Sequence, residues 1–235
     1  MVYGGVRLDL KEAKALLEAL CGLGNRILEA RHMKLYNHAL APNPRRVRIF
    51  AAEKGIKLAL EEVDILAGQS RTSEFLAKNS SGAVPVLELD DGSCLSESVA
   101  ICRYLEGLHP EPNLLGRDLR EQAEIERWNR RMELELFAPI SRTFQNTNPI
   151  FQKRIKQFPE YGEAQRAVVY QRLERMDHEL DGHDYITGDR FTIADITALV
   201  AIDFGGRLAG IQIAPSLAHL TRWHEAVSKR ASAQA

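Results

Sequence analysis

Cysteine is scarce in this chain. There are three, Cys21, Cys94 and Cys102, with no CxxC pair and no metal-ligand spacing. So sparse and odd a count excludes a disulfide framework and fits a reducing cytosol. Long apolar runs are missing as well. No stretch approaches the ~20 residues that a transmembrane helix needs, so no membrane span is expected. Neither sign of charge dominates: the net charge is −1 and the isoelectric point is about 6.7. No global basic field exists to attract nucleic acid or an anionic membrane. The seven histidines show no ligand spacing, and no metal site is expected. Internal repeats and low-complexity segments are absent.

What is present is the material of a packed fold. The 235 residues are 45% hydrophobic and 27% charged, enough for one large domain or two smaller ones. Residues 1–32 stand apart. Leu10, Ala13, Leu16, Leu17 and Leu20 fit an amphipathic helix, interrupted by Gly22 and Gly24. The segment lacks the basic start and apolar centre of a secretory signal, and its acids argue against a transit peptide. It reads either as an appendage that docks its leucine face or as an extension ahead of a usual start at Met33, and the second reading is preferred.

From Met33 the pattern is β-α-β-α-β-β-α. Lys34 to Asn37 reads as a strand. Asn43 as N-cap, Pro44 in the first turn and Gly55 just past the end punctuate a helix with a buried stripe at Val47, Phe50 and Ala51. Arg45 and Arg46 in its first turn oppose the macrodipole. Either they face an anion such as a thiolate, or they pair with acids nearby or in a second domain. Ile56 to Val63 is a second strand, followed by a loop and a short helix through Phe75 to Lys78.

The stretch Ser81 to Glu106 carries the richest signal. Val84 to Leu89 alternates as a strand, Asp91-Gly92 is a two-residue hairpin turn, Ser93 to Leu95 returns, and a helix opens near Ser96. Pro85 at a strand entry suggests a cis peptide bond. That bond would leave the backbone N–H and C=O of Val84 free to pair with an extended peptide. At the helix start, free N–H groups and the Ser98 hydroxyl can bind a carboxylate, and Glu97 can hold an ammonium.

Beyond the proline-rich stretch from His109 to Asn113, everything reads helical. Leu119 to Phe144 is a long helix bent at Pro139. A second runs from Glu163 to Leu180. Thr192 to Asp195 is a capping box ahead of an apolar helix that Gly205-Gly206 ends or loosens, and its role is fold stability. The last helix is Leu217 to Val227.

The VP pair followed, after a hairpin, by an ES-xAI-xxYL pattern resembles the glutathione-binding half of the glutathione transferases. The resemblance runs from Met33 to about Ala231. It is nearest a fungal and bacterial branch with an APNPRRVRIF–AEKGI opening, here Ala41 to Ile56. It implies an α/β N-terminal thioredoxin-like domain plus an all-α C-terminal domain, usually as a homodimer. The boundaries that go with it are 33–112, a linker at 113–118, and 119–235. By similarity, Val84 and Pro85 would meet the cysteinyl backbone of glutathione, Glu97 and Ser98 its γ-glutamyl end, and Gln69 and Ser70 its glycine carboxylate.

The family often has a Ser or Cys beside the thiol; here Ala41 stands there, with neither hydroxyl nor thiol. The branch it resembles is thought to use a helix N-terminus and a water held by the long C-domain helix. Asn43 and Ser141, with Gln145 one turn on, are the matching catalytic candidates; no histidine lies in that part of the helix. Phe137, Ile140 and Phe144 would wall the electrophile pocket. The implied activity is conjugation of the glutathione thiolate to small hydrophobic electrophiles in the cytoplasm, with glutathione as co-substrate and no cofactor. A non-catalytic dimeric binding module and a glutathione-dependent peroxidase are the alternatives.

Overall fold

The computed structural model describes residues 33–235, so the expectations for residues 1–32 and Cys21 lie outside it. The N-terminal half is a four-stranded sheet in the order β2-β1-β3-β4. Strand β1 (Lys34–Asn37) is parallel to β2 (Ala59–Glu62) and antiparallel to β3 (Val86–Glu88), which pairs antiparallel with β4 (Cys94–Ser96). The period of two assigns the faces. Leu35 and Leu87 point to one side and join the main core, with Val47 and Phe50 of helix α1 (Pro42–Glu53) and Ile101 and Leu105 of α3 (Ser98–Leu108). Tyr36 and Val86 point to the other side and pack with Val63, Val84 and Phe75 of the short helix α2 (Ser73–Lys78). This β-α-β-α-β-β-α order with helices on both faces is thioredoxin-like.

Several boundaries differ from the sequence reading. Helix α1 begins at Pro42 with Ala41, not Asn43, as N-cap; Asn43 sits inside the first turn between two prolines, both tolerated there. Its far end follows expectation. Gly55 has φ +66°, and the N–H groups of Ile56 and Gly55 return to the carbonyls of Ala51 and Ala52 at 2.9 and 3.1 Å, a Schellman closure. The strand expected over Ile56 to Val63 is confined to Ala59–Glu62, an exposed edge; Ile56 and Leu58 pack on the core ahead of it. The hairpin loop has three residues rather than two. Leu89 closes a turn with Gly92 at 2.9 Å, and Gly92 takes φ +81°. Ser96 ends β4, and α3 starts two residues later.

Helices build the rest: α4 (Leu119–Arg131), α5 (Ala138–Thr147), α6 (Pro159–Glu179), α7 (Ile193–Leu208) and α8 (Ala218–Ser228). Helices α4 and α5 join through a π-turn at Met132–Phe137, which ends two residues before Pro139. Proline offers no N–H to the carbonyl four residues back, and the wider turn accommodates that loss. Helix α7 is buried on every side from Ile193 to Ile202 and forms the centre of this half. It runs through Gly205-Gly206 without ending. A Cβ at Gly205 would lie 3.3 Å from Ile140, so this glycine permits close packing of α7 on α5. The capping box is complete. Asp195 accepts from the N–H groups of Thr192 and Ile186, each at 2.9 Å, and from Trp223 Nε1 at 2.9 Å. Burial pushes this carboxyl up to about 6, against those donors.

The segment that connects the two halves is held by buried charge. Lys54 is buried beneath the connecting segment, where its ammonium donates to the carbonyls of His109 (2.8 Å) and Pro112 and pairs with Glu106. Glu106 also accepts the N–H groups of Leu114 and Leu115, so the segment folds around one ion pair. Among the described residues, no helix is long and apolar enough to cross a membrane.

Candidate functional site

Sheet register brings the singled-out residues to one edge. Tyr36, Val86 and Ser96 are in line across β1, β3 and β4. Asn37 and Glu62 end the parallel pair β1/β2 at the same edge. Val84 and Pro85 lie just ahead of Val86, Glu97 and Ser98 just after Ser96, and the turn to Ala41 just after Asn37. The carboxyl ends of parallel strands are the usual place for a ligand crevice in open α/β sheets.

The Val84-Pro85 bond is cis. Among the described residues, the N–H and C=O of Val84 take no hydrogen-bond partner. Glu97 is the N-cap of α3 and the one non-glycine residue at positive φ (68°) among those described. Such backbone costs about 1–3 kcal/mol and clusters where a side chain must be aimed. The exposed Glu97 carboxylate has no ion pair among the described residues. Ser98 is 5% exposed, and its Oγ accepts from Arg46 Nη1 at 2.7 Å. With that lone pair taken, the hydroxyl proton is free to donate outward.

Arg46 holds the site together. It is 1% exposed, and Nη1 also reaches Glu133 Oε1 at 3.2 Å and Asn43 Oδ1 at 3.4 Å. Burial lowers its pKa, while Glu133 opposes that most strongly. One guanidinium therefore links the start of α1, the start of α3 and the long helix. Arg45 pairs with Asp203 of α7 at 2.6 Å. Of the two readings of these arginines, pairing with acids of the second half is the one observed.

Ala41 and Pro42 open onto a cavity of about 380 Å³ between the halves. Ser141, Phe144 and Gln145 line its opposite wall, with Phe151, Phe204 and Leu208 beyond. The rings of Phe137, Phe204, Phe144 and Phe151 run edge to face, with centroids 6.1, 5.1 and 5.1 Å apart in sequence. Phe144 lines the cavity as expected. Phe137 stands behind Phe204, and Ile140 is fully buried core, because their helical positions face α7. Asn43 is half-buried in the α1 first turn; its Oδ1 faces Arg46, which leaves Nδ2 as the donor it can offer.

Two residues are placed less directly. Gln69 begins a single helical turn, and its Oε1 is engaged by the Asp64 N–H at 2.7 Å. It borders a separate polar hollow with Tyr36 and Lys78. Ser70 is 1% exposed, and Gly82 packs close to its carbonyl. Sequence reasoning missed His38 and Arg154, which both line the cavity, and Glu133. His38 was legible in outline, lying in the same β1–α1 turn as Ala41. The other two had no local signal. Cys102, buried beside Arg46, is pushed up to about 12 by burial and offers no thiolate.

This arrangement sets an unpaired stretch of backbone and a helix start at the end of the sheet from which the turn to Ala41 leads to an apolar cavity. Comparison with known proteins gives it a family. The N-terminal domain model of glutathione S-transferase matches residues 31–107, and its C-terminal domain model matches residues 136–231. The chain belongs to the glutathione S-transferase family. Glutathione S-transferase 2 of Saccharomyces cerevisiae is 34% identical over 85% of this chain and 87% of its own. The crystal structure of Gtt2 from the same yeast superposes with a TM-score of 0.81 at 34% identity, covering 86% of this chain and 98% of that one. A glutathione S-transferase domain-containing protein of Marinobacter aquaeolei gives 0.79 at 36% identity, covering 85% and 98%.

Proposed function

We propose that this protein conjugates the thiolate of glutathione to small hydrophobic electrophiles, as a cytoplasmic homodimer with glutathione as co-substrate. The observation that carries the reading is convergence. The free Val84 backbone and the Glu97-Ser98 helix start lie at one end of the sheet, the end from which the turn to Ala41 and Pro42 leads to the apolar cavity. The cysteinyl backbone pairs with Val84 beside Pro85. The γ-glutamyl ammonium meets Glu97, and its carboxylate takes the Ser98 hydroxyl, whose acceptor side Arg46 occupies. Gln69 offers its amide nitrogen to the glycine carboxylate.

The sulfur then lies near Ala41. A free thiol of pKa about 8.5 is only slightly ionised near neutrality, and nearby donors can lower it to 7 or below. Pro42 and Pro44 have no N–H, and the Arg45 N–H returns to the Ala41 carbonyl at 3.3 Å. The remaining donors in this turn are the backbone N–H and Nδ2 of Asn43. Ser141 stands across the cavity to hold the thiolate or a water beside it.

The test is the thiol pKa of bound glutathione, read from thiolate ultraviolet absorbance. It is expected near or below 7; an unshifted value removes the mechanism. Ala41 favours a second reading, a non-catalytic glutathione-binding module. Retention on glutathione-agarose with no conjugation across a broad electrophile panel would select it.

A further inference from the structure

Among the described residues, the ionisable side chains that line the cavity are His38 and Arg154, with no carboxylate. Asp64, next to the lining residue Ile65, turns its carboxylate to the Ala67 N–H at 2.8 Å. Arg154 is exposed and reaches across the cavity mouth. Its Nη2 donates to the Leu66 carbonyl at 3.1 Å, so the guanidinium bridges the two halves at the cavity mouth. No acid pairs with Arg154 among the described residues, whereas Arg45, Arg46, Arg131, Arg172 and Arg230 are all paired. Its other N–H groups make no hydrogen bond to protein among the described residues. Inside the mouth, the edge-to-face phenylalanines suit a flat apolar body.

We infer that the cavity selects electrophiles with a flat apolar body and a carboxylate, the body against Phe144 and Phe204 and the carboxylate on Arg154 at the rim. This specificity rests on the transferase reading above. A guanidinium with free N–H groups takes a carboxylate as a charge-assisted pair, and a neutral ester gains no such contact. A chloronitrobenzoate is a suitable probe. The thiolate sulfur forms a bond to the ring carbon bearing chlorine. The carbon–chlorine bond then breaks, and its electron pair leaves as chloride. The thiol proton passes to bulk water.

The experiment compares 4-chloro-3,5-dinitrobenzoate with its methyl ester, each rate normalised to the uncatalysed reaction with glutathione. In parallel, calorimetry measures affinity for the two preformed glutathione conjugates. The wild-type protein should prefer the carboxylate by about tenfold in both readouts, less at high salt. Arg154→Gln should abolish the preference, the carboxylate losing about tenfold more than the ester. Equal handling of the two forms by the wild-type protein overturns the proposal, as does an equal loss for both in Arg154→Gln. Conjugate affinities decide the proposal even if no electrophile is turned over; that outcome would strike the transferase reading alone.

Discussion

Replacing Glu133 by Gln probes whether Arg46 governs both the fold and the site. Glu133 Oε1 lies 3.2 Å from Nη1 of a guanidinium that is 1% exposed, and Nε and Nη2 of that arginine have no hydrogen-bond partner among the described residues. At an effective dielectric of about 20, two unit charges at that distance attract by about 5 kcal/mol. The Gln oxygen remains as a neutral acceptor, and the partial exposure of Glu133 screens the pair. A net loss of about 3 kcal/mol is expected, the range for breaking one side of a buried pair. For a chain of this size that lowers Tm by about 6–12 °C. Urea unfolding followed by tryptophan fluorescence measures it. The pair Arg46→Met with Glu133→Leu separates the two roles. An apolar replacement of both partners should restore stability to within about 1–2 kcal/mol of wild type. Glutathione affinity should nevertheless stay about tenfold weakened or worse, because the Ser98 hydroxyl has lost the donor that orients it. A double variant that binds glutathione like wild type, or a Glu133→Gln protein of unchanged stability, would refute the reasoning.

Three other outcomes follow from the same geometry. Asp195→Ala should destabilise by about 4 kcal/mol or more, since it strands three buried donors at Ile186, Thr192 and Trp223; a loss under about 1 kcal/mol in urea titration would contradict it. Burial raises the pKa of Glu53, but hydrogen bonds from Arg230 and Ser232 outweigh it and hold the carboxyl below its ordinary value. Its clamp on the C-terminal segment therefore contributes fully above the unfolded carboxylate pKa and fades as pH falls through the folded one. Glu53→Gln should flatten that acid limb of the stability profile, and an unchanged limb would count against the clamp. Ser141→Ala should lower kcat by about tenfold or more while glutathione affinity stays within about twofold; steady-state kinetics with calorimetry separates the two, and a loss confined to affinity would argue against a role at the thiol.

Much of the N-terminal half was legible because its signals are local. The alternation from Val84, the glycine at Gly55 and the Glu97-Ser98 pair each act within a few residues. Boundaries moved where two local signals competed. Asn43 is a good cap by type, yet two prolines carry the helix start back to Ala41. Gly205-Gly206 reads as a stop, yet close packing on Ile140 keeps the helix intact. Arg45 and Arg46 showed as an anomaly against the helix dipole. What resolves them, Asp203 and Glu133, lies far along the chain and belongs to other helices. Arg154 escaped for the same reason: the cavity wall is assembled from both halves, and no spacing in the sequence encodes it.

The most direct measurement is calorimetric titration of reduced glutathione into the folded protein, alongside Ser98→Ala. Saturable heat at micromolar to millimolar ligand, weakened about tenfold or more in the variant, is what a hydroxyl aimed at the γ-glutamyl carboxylate requires. No heat of association at millimolar glutathione, with the fold intact by circular dichroism, would contradict it.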